Sequence, residues 1–210
     1  MRRRAGVLAA VPLLLIGACA TAPEAPSGGG GAATGPVVTG VDVDTPALRR
    51  AKREAGVEQC PTTDPKAKPV AGGLPDVELA CLGGGPPVRL SALRGPLVVN
   101  LWAQWCGPCR EELPIYQELH KRAGDRLQVL GIDYQDTQPG AALDLIRQTG
   151  VTYPLLADPD ATVRVPFRTR ALPGIVLVDA QGRVTHLEYT AFRSYGELRA
   201  MVKQYLGLTV

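Results

Sequence analysis

The 210-residue chain has little excess of charge: 23 Lys and Arg against 20 Asp and Glu leave a formal net charge of +3. Its cations are scattered, with no aromatic-interleaved basic stripe, which argues against a nucleic-acid partner. It lacks any apolar run of the roughly 20 residues that a bilayer-spanning helix needs. No internal repeat is present. The two histidines, His120 and His186, stand without neighbours at metal-binding spacing, so neither a metal site nor a cofactor is expected. What is present is a hydrophobic content of 45%, normal for a globular chain and too high for a disordered one. The length permits one domain plus appendages.

The N-terminus reads as a targeting segment. Arg2, Arg3 and Arg4 precede a short apolar core from Val7 to Ile16 that contains Pro12, a signal-peptide pattern. Leu15-Ile16-Gly17-Ala18-Cys19 resembles the bacterial lipobox, which implies cleavage before Cys19 and a lipid on its thiol; the alternative is ordinary cleavage near Ala18 or Ala20. From there to about Gly40 the chain is Ala, Pro, Gly, Ser and Thr, a flexible tether that spans roughly 25–30 Å.

The centre of the sequence is Val98-Val99-Asn100-Leu101-Trp102-Ala103-Gln104-Trp105-Cys106-Gly107-Pro108-Cys109-Arg110-Glu111-Glu112-Leu113. An apolar run of strand type leads into two cysteines, and a polar stretch of helical period follows. Cysteines at a strand-to-helix junction sit among unpaired backbone N–H groups, where the helix dipole favours a thiolate. The Trp-Cys-Gly-Pro-Cys string resembles the thioredoxin superfamily. With Leu93-Arg94-Gly95 before it and Arg110-Glu111-Glu112-Leu113-Pro114 after it, roughly residues 75 to 207 resemble the extracytoplasmic TlpA/ResA-like thiol–disulfide oxidoreductases.

Five cysteines, Cys19, Cys60, Cys81, Cys106 and Cys109, are an odd count, which in an exported protein needs an explanation. With Cys19 lipidated and Cys106–Cys109 as the redox-active disulfide, Cys60 and Cys81 remain to form a structural disulfide, which an oxidising compartment allows. Closing a loop of about 20 residues contributes about 3 kcal/mol in the loop-entropy account. The alternative is two buried free thiols.

Thr45 and Pro46 mark the start of a short helix and Gly56 its stop, with its four basic residues expected on a solvated face. Val77–Leu82 and Val88–Leu90 flank a Gly-Pro run and read as a β-hairpin. Strands are expected at 97–103, 127–133, 172–178 and 183–189. Helices are expected at 107–122, around 142–149, within 160–167 and from Ser194 to Gly207, the last opened by a Ser194–Glu197 capping box. Pro114 should kink the second helix. The order β-β-β-α-β-α-β-β-α gives an α/β fold. It is thioredoxin-like, with an N-terminal β-hairpin and a mixed central sheet flanked by helices on both faces. The division is a lipoprotein signal peptide over 1–18, a tether over 19–44, a helical arm over 45–73 stapled by Cys60–Cys81, and the thioredoxin-like domain over 74–210.

Disulfide exchange needs an attacking thiolate and a second thiol to resolve the mixed disulfide. The resemblance assigns Cys106 as the exposed nucleophile and Cys109, one turn in, as the resolving thiol. Trp105 is expected over the edge of the site, against substrate. Thioredoxins place an aspartate six residues before the first cysteine; here Asn100 stands there and cannot titrate. The TlpA/ResA-like branch has a glutamate three residues after the second cysteine, here Glu112. Glu112, Ile115, Tyr116 and Leu119 share one helix stripe, so burial should raise this carboxyl into proton-exchange range. An exposed first-turn glutamate is the plainer alternative. Leu172-Pro173 resembles the cis-proline that faces the redox pair and offers backbone groups to a substrate strand. Many relatives carry threonine next, where this chain has Gly174.

These features imply a membrane-anchored protein-disulfide oxidoreductase outside the cytoplasm. It would be held at the outer face of the bacterial cell membrane by lipidated Cys19. Partners are protein substrates with disulfides or thiols and a membrane-embedded electron donor or acceptor; the protein is expected to be a monomer. The Gly-Pro spacer favours a reductase, as in cytochrome c or metal-site cysteine maturation, over an oxidase that installs disulfides. A copper(I)-binding chaperone is the reading from another class, disfavoured because such relatives use a Cys-x-x-x-Cys spacing. A peroxidase is disfavoured because peroxiredoxins hold a threonine where Cys106 stands.

Overall fold

The computed structural model describes residues 40–210. The signal peptide, Cys19 and the tether as far as residue 39 lie outside the described residues. The elements are α1 (Pro46–Glu54), β1 (Glu78–Cys81), β2 (Val88–Arg89), β3 (Leu97–Trp102), α2 (Gly107–Ala123), β4 (Gln128–Tyr134), α3 (Pro139–Thr149), β5 (Leu155–Asp158), α4 (Arg164–Phe167), β6 (Gly174–Val178), β7 (Val184–Glu188) and α5 (Tyr195–Leu206).

Seven strands form one mixed sheet in the order β2-β1-β5-β4-β3-β6-β7. β3, β4 and β5 run parallel, while β1, β6 and β7 pair antiparallel. β3 is buried along its whole length, so its Val and Leu side chains pack on both sides. Val98 and Trp102 point to one apolar layer, with α1, α2, α3 and α5. Leu97, Val99 and Leu101 point to the other, with the β1–β2 hairpin and α4. Each fully buried Leu or Val there contributes about 1.5–3 kcal/mol.

Helices thus lie on both faces, but unevenly. The crossovers β3–α2–β4 and β4–α3–β5 step across the sheet in the same direction. Right-handed connections put both helices on one face. α4 falls on the other as the chain returns to β6.

β5 was not among the expected strands. It has four residues, all buried, and it follows Pro154. A strand covered on both faces shows no alternation of polar and apolar residues, and this one is too short to stand out by composition. The expected end of the tether is also corrected. Val43 is buried against the core and its carbonyl accepts from the Gly83 N–H at 2.9 Å, so packing begins inside the stretch read as flexible.

The expected solvated face of α1 is broken by Lys52, which is buried. The Gly83–Gly85 run lies directly on it. A Cβ on Gly83 would come within 2.8 Å of the Lys52 Cβ. Helix caps follow the sequence signals: Thr45 accepts from the Leu48 N–H and Ser194 from the Glu197 N–H. α2 runs unbroken through Pro114.

Candidate active site

Cys106 is the N-cap of α2. Its Sγ accepts the Cys109 N–H at 3.3 Å, so the sulfur sits where the helix amides converge. The two cysteines form a disulfide with their Cα atoms 5.3 Å apart. Cys106 was expected to be exposed. It is 6% exposed in this oxidised form, against 0% for Cys109. Cys106 is the more accessible of the two, but both are buried, which corrects the expected exposure.

Three contacts hold the loop before Cys106. The Cys106 N–H donates to the Ala103 carbonyl. The Gln104 N–H donates to Asp136 Oδ2 at 2.9 Å. Trp105, 55% exposed, donates its ring N–H to the Gln135 carbonyl at 3.2 Å. Asp136 also accepts the Gln138 N–H through its other oxygen. Gln135 itself has φ of 52°, an unusual backbone for a residue with a side chain. Behind it Asp133 is buried, and burial together with the neighbouring Asp136 pushes its carboxyl well above the usual range. These residues escaped the sequence reading. The acidic pair three residues apart at the end of a strand was the available signal, but nothing in the sequence tied it to the cysteine loop.

Glu112 lies on the inner stripe of α2 with Tyr116 and Leu119, all fully buried, while Ile115 is partly covered. Burial raises the Glu112 carboxyl to about 8, opposed by a hydrogen bond from the Phe192 N–H to Oε2 at 3.1 Å. Its Oε1 has no partner among the described residues, so little stabilises the carboxylate form. Phe192, from the loop before α5, also meets Tyr116 edge-on at 6.1 Å. Burial likewise pushes the Tyr116 hydroxyl far up, with the Glu112 carboxyl adding to it. Asn100 lies in the core and its amide donates to the Tyr153 hydroxyl at 3.4 Å. Burial thus brings the ionisation of Glu112 close to neutrality.

Leu172-Pro173 is a cis peptide, as is Gly95-Pro96, which was not foreseen. Gly174 pairs with Leu101 in the β3–β6 register. Pro173 therefore lies at the end of the sheet from which the cysteine loop leaves, and Leu172 packs on the layer that holds both cysteines. The absence of threonine at 174 has a local cause. A Cβ there would meet the Tyr189 ring at 2.9 Å. The Tyr189 hydroxyl donates to the Phe167 carbonyl at 2.8 Å, tying the residue after β7 to the segment before Pro173.

The two histidines have neighbours. His120 pairs with Glu58 at 2.8 Å, and His186 pairs with Glu188 and stacks on Tyr205 at 3.8 Å. Among the described residues no three His, Cys, Asp or Glu side chains come together to hold a metal ion. Cys60 and Cys81 are bonded to each other, far in the sequence from the helix-end pair.

Residues 70–187 match the AhpC/TSA family. A thiol:disulfide interchange protein, a DsbE homologue of Paracoccus denitrificans, is 37% identical over 129 residues, covering 59% of this chain and 69% of that protein. The thiol-disulfide oxidoreductase ResA of Bacillus thuringiensis is 28% identical over 102 residues, covering 48% of this chain and 58% of its own length. Among solved structures, MTB dsbF, in mixed oxidised and reduced forms, superposes with a TM-score of 0.55 at 25% identity. That match covers 62% of this chain and 95% of dsbF.

Proposed function

The chain belongs to the AhpC/TSA family, among its thiol–disulfide oxidoreductases of the TlpA/ResA type, and from that premise we propose that it reduces disulfides of exported proteins from a lipid tether on Cys19. It is a protein-disulfide oxidoreductase. The observation that carries the mechanism is the placement of Cys106 Sγ on the first turn of α2, accepting an amide N–H.

In the reduced protein that amide and the helix dipole stabilise the Cys106 thiolate. The thiolate attacks one sulfur of the client disulfide and expels the other as a client thiolate. The Cys109 thiol then loses its proton and attacks Cys106 Sγ, closing the Cys106–Cys109 bond and releasing the second client thiolate. The client gains two electrons and the pair loses two. Glu112, three residues on from Cys109 and ionising near 8, takes the proton of Cys109 and returns it when the pair is re-reduced. The backbone beside Pro173 and the face of Trp105 hold the client chain. A membrane-embedded electron donor then restores the dithiol. Clients with cytochrome c or metal-site cysteines are the substrate class.

Insulin-disulfide reduction with a Cys109→Ser trap tests this reading. The variant should accumulate a mixed disulfide at Cys106. A reduction potential near the −120 mV of DsbA would reverse the proposed direction.

A further inference from the structure

The Cys60–Cys81 bridge has a neighbour that a plain staple does not need. Lys52 donates to Cys81 Sγ at 2.9 Å and to the Gly84 carbonyl at 2.8 Å. It is only 2% exposed, and among the described residues it makes no ion pair. Asp44 acts on this charge from beyond ion-pair distance, but no carboxylate of the described residues touches it; a buried cation so weakly compensated is costly, and a bonded sulfur is a weak acceptor. A thiolate would be a counter-charge. On the other side Cys60 Sγ lies 3.3 Å from the Leu155 carbonyl, an acceptor that only a free S–H can use. Both partners of the reduced state are therefore already in place. Burial pushes the Lys52 amine down, opposed by the charge of Asp44.

A cavity of about 210 Å³ opens at the same place, lined by Arg49, Lys52, Arg53, Gln59 and the glycine run 83–85. Gly85, with φ of 130°, lies so close that its missing Cβ would sit 3.3 Å from Cys81 Sγ. Gln59, on the lining, is the residue immediately before Cys60. Arg49 is occupied by Asp44; Arg53 makes no ion pair among the described residues.

We propose that Cys60–Cys81 is a second exchangeable couple, and that its reductant is a small thiol bearing carboxylates, received in this cationic cavity. One small thiolate attacks Cys60, the more exposed residue of the two at 4% against 1%, and Cys81 leaves as a thiolate against Lys52. A second small thiolate attacks the small thiol's sulfur in the mixed disulfide and releases Cys60 as a thiolate, which takes up a proton from solvent and hydrogen-bonds through it to the Leu155 carbonyl. Two small thiols lose one electron each and join, while Cys60 and Cys81 gain one each.

The test uses the full chain carrying Cys106→Ser and Cys109→Ser, so that the helix-end pair contributes nothing. It is equilibrated in glutathione buffers of stepped ratio, alkylated, and read by mass spectrometry at Cys60 and Cys81, with circular dichroism reporting the fold. The bridge should open while the domain stays folded. Lys52→Met keeps the apolar stem and removes the buried charge. It should lower the reduced-to-oxidised ratio about tenfold, about 30 mV. Arg53→Ala should slow opening by glutathione more than opening by 2-mercaptoethanol, which has no carboxylate. A bridge that stays closed in every glutathione buffer, or a Lys52→Met ratio equal to that of the parent, overturns the second couple. Equal slowing of both thiols overturns the assigned reductant.

Discussion

The molecule holds two disulfides in unlike surroundings. Cys106–Cys109 sits on a helix N-terminus, with one sulfur fixed by an amide and a buried carboxyl one turn away. Cys60–Cys81 is set into the second apolar layer, between a strand end and the arm that follows α1. The first closes a loop of sequence separation 3 and the second one of 21. A short loop loses little entropy on closing and a long one more. Loop closure thus makes the long bridge the larger stabiliser, and helix amides make the short one the faster exchanger. Chain length and local field separate the two, although the chemical group is the same.

Cys106→Ser should separate them most widely. Insulin reduction should fall to the uncatalysed rate while the circular dichroism spectrum is unchanged. Retained turnover in that variant would move the chemistry elsewhere. The converse change, Cys60→Ser with Cys81→Ser, should cost about 2–4 kcal/mol in urea unfolding and leave insulin turnover of the folded protein close to the parent.

Glu112→Gln comes next, and acts on the helix-end site alone. Resolution of the mixed disulfide, followed by rapid acid quench, should slow by about a hundredfold. The parent's resolution rate should climb with pH toward about 8, and the variant's should not follow it. Stability moves in the opposite sense. The folded-state ionisation of Glu112 lies above its unfolded value of 4.5. The part of the oxidised parent's stability linked to Glu112 is therefore fully present below about pH 4.5 and is lost as pH rises toward 8. Above that, Glu112→Gln should be the more stable by about 2–5 kcal/mol, read from urea midpoints at pH 4 and pH 9.

A smaller effect is expected at Gly174, beside Pro173. Gly174→Thr drives a Cβ into the Tyr189 ring and should cost about 1–3 kcal/mol. Adding Tyr189→Ala should recover part of that loss. Equal costs with and without the tyrosine would mean that the ring is not what excludes a side chain there.

Most of the fold was legible because its elements carry local signals. β3 announces itself by an uninterrupted apolar run, and α5 by its Ser194–Glu197 cap and its period. Glu112 was legible for the same reason: its place on an apolar stripe follows from counting residues along α2. Lys52, Phe192 and Asp136 were not. Lys52 lies among exposed basic residues in sequence and turns inward only because three glycines from a distant hairpin cover it. The contacts of Phe192 and Asp136 to Glu112 and Gln104 span 80 and 32 residues, and local periodicity has no access to such distances. β5 failed differently, since four residues buried on both faces leave no alternation to read.

Catalysis depends on Cys106 ionising easily once its bond to Cys109 is open. The direct measurement is a pH titration of the Cys106 thiolate by its ultraviolet absorbance in the Cys109→Ser variant. A midpoint at least one unit below the ordinary cysteine value of about 8.5 is the predicted result. A midpoint at or above that value would contradict it.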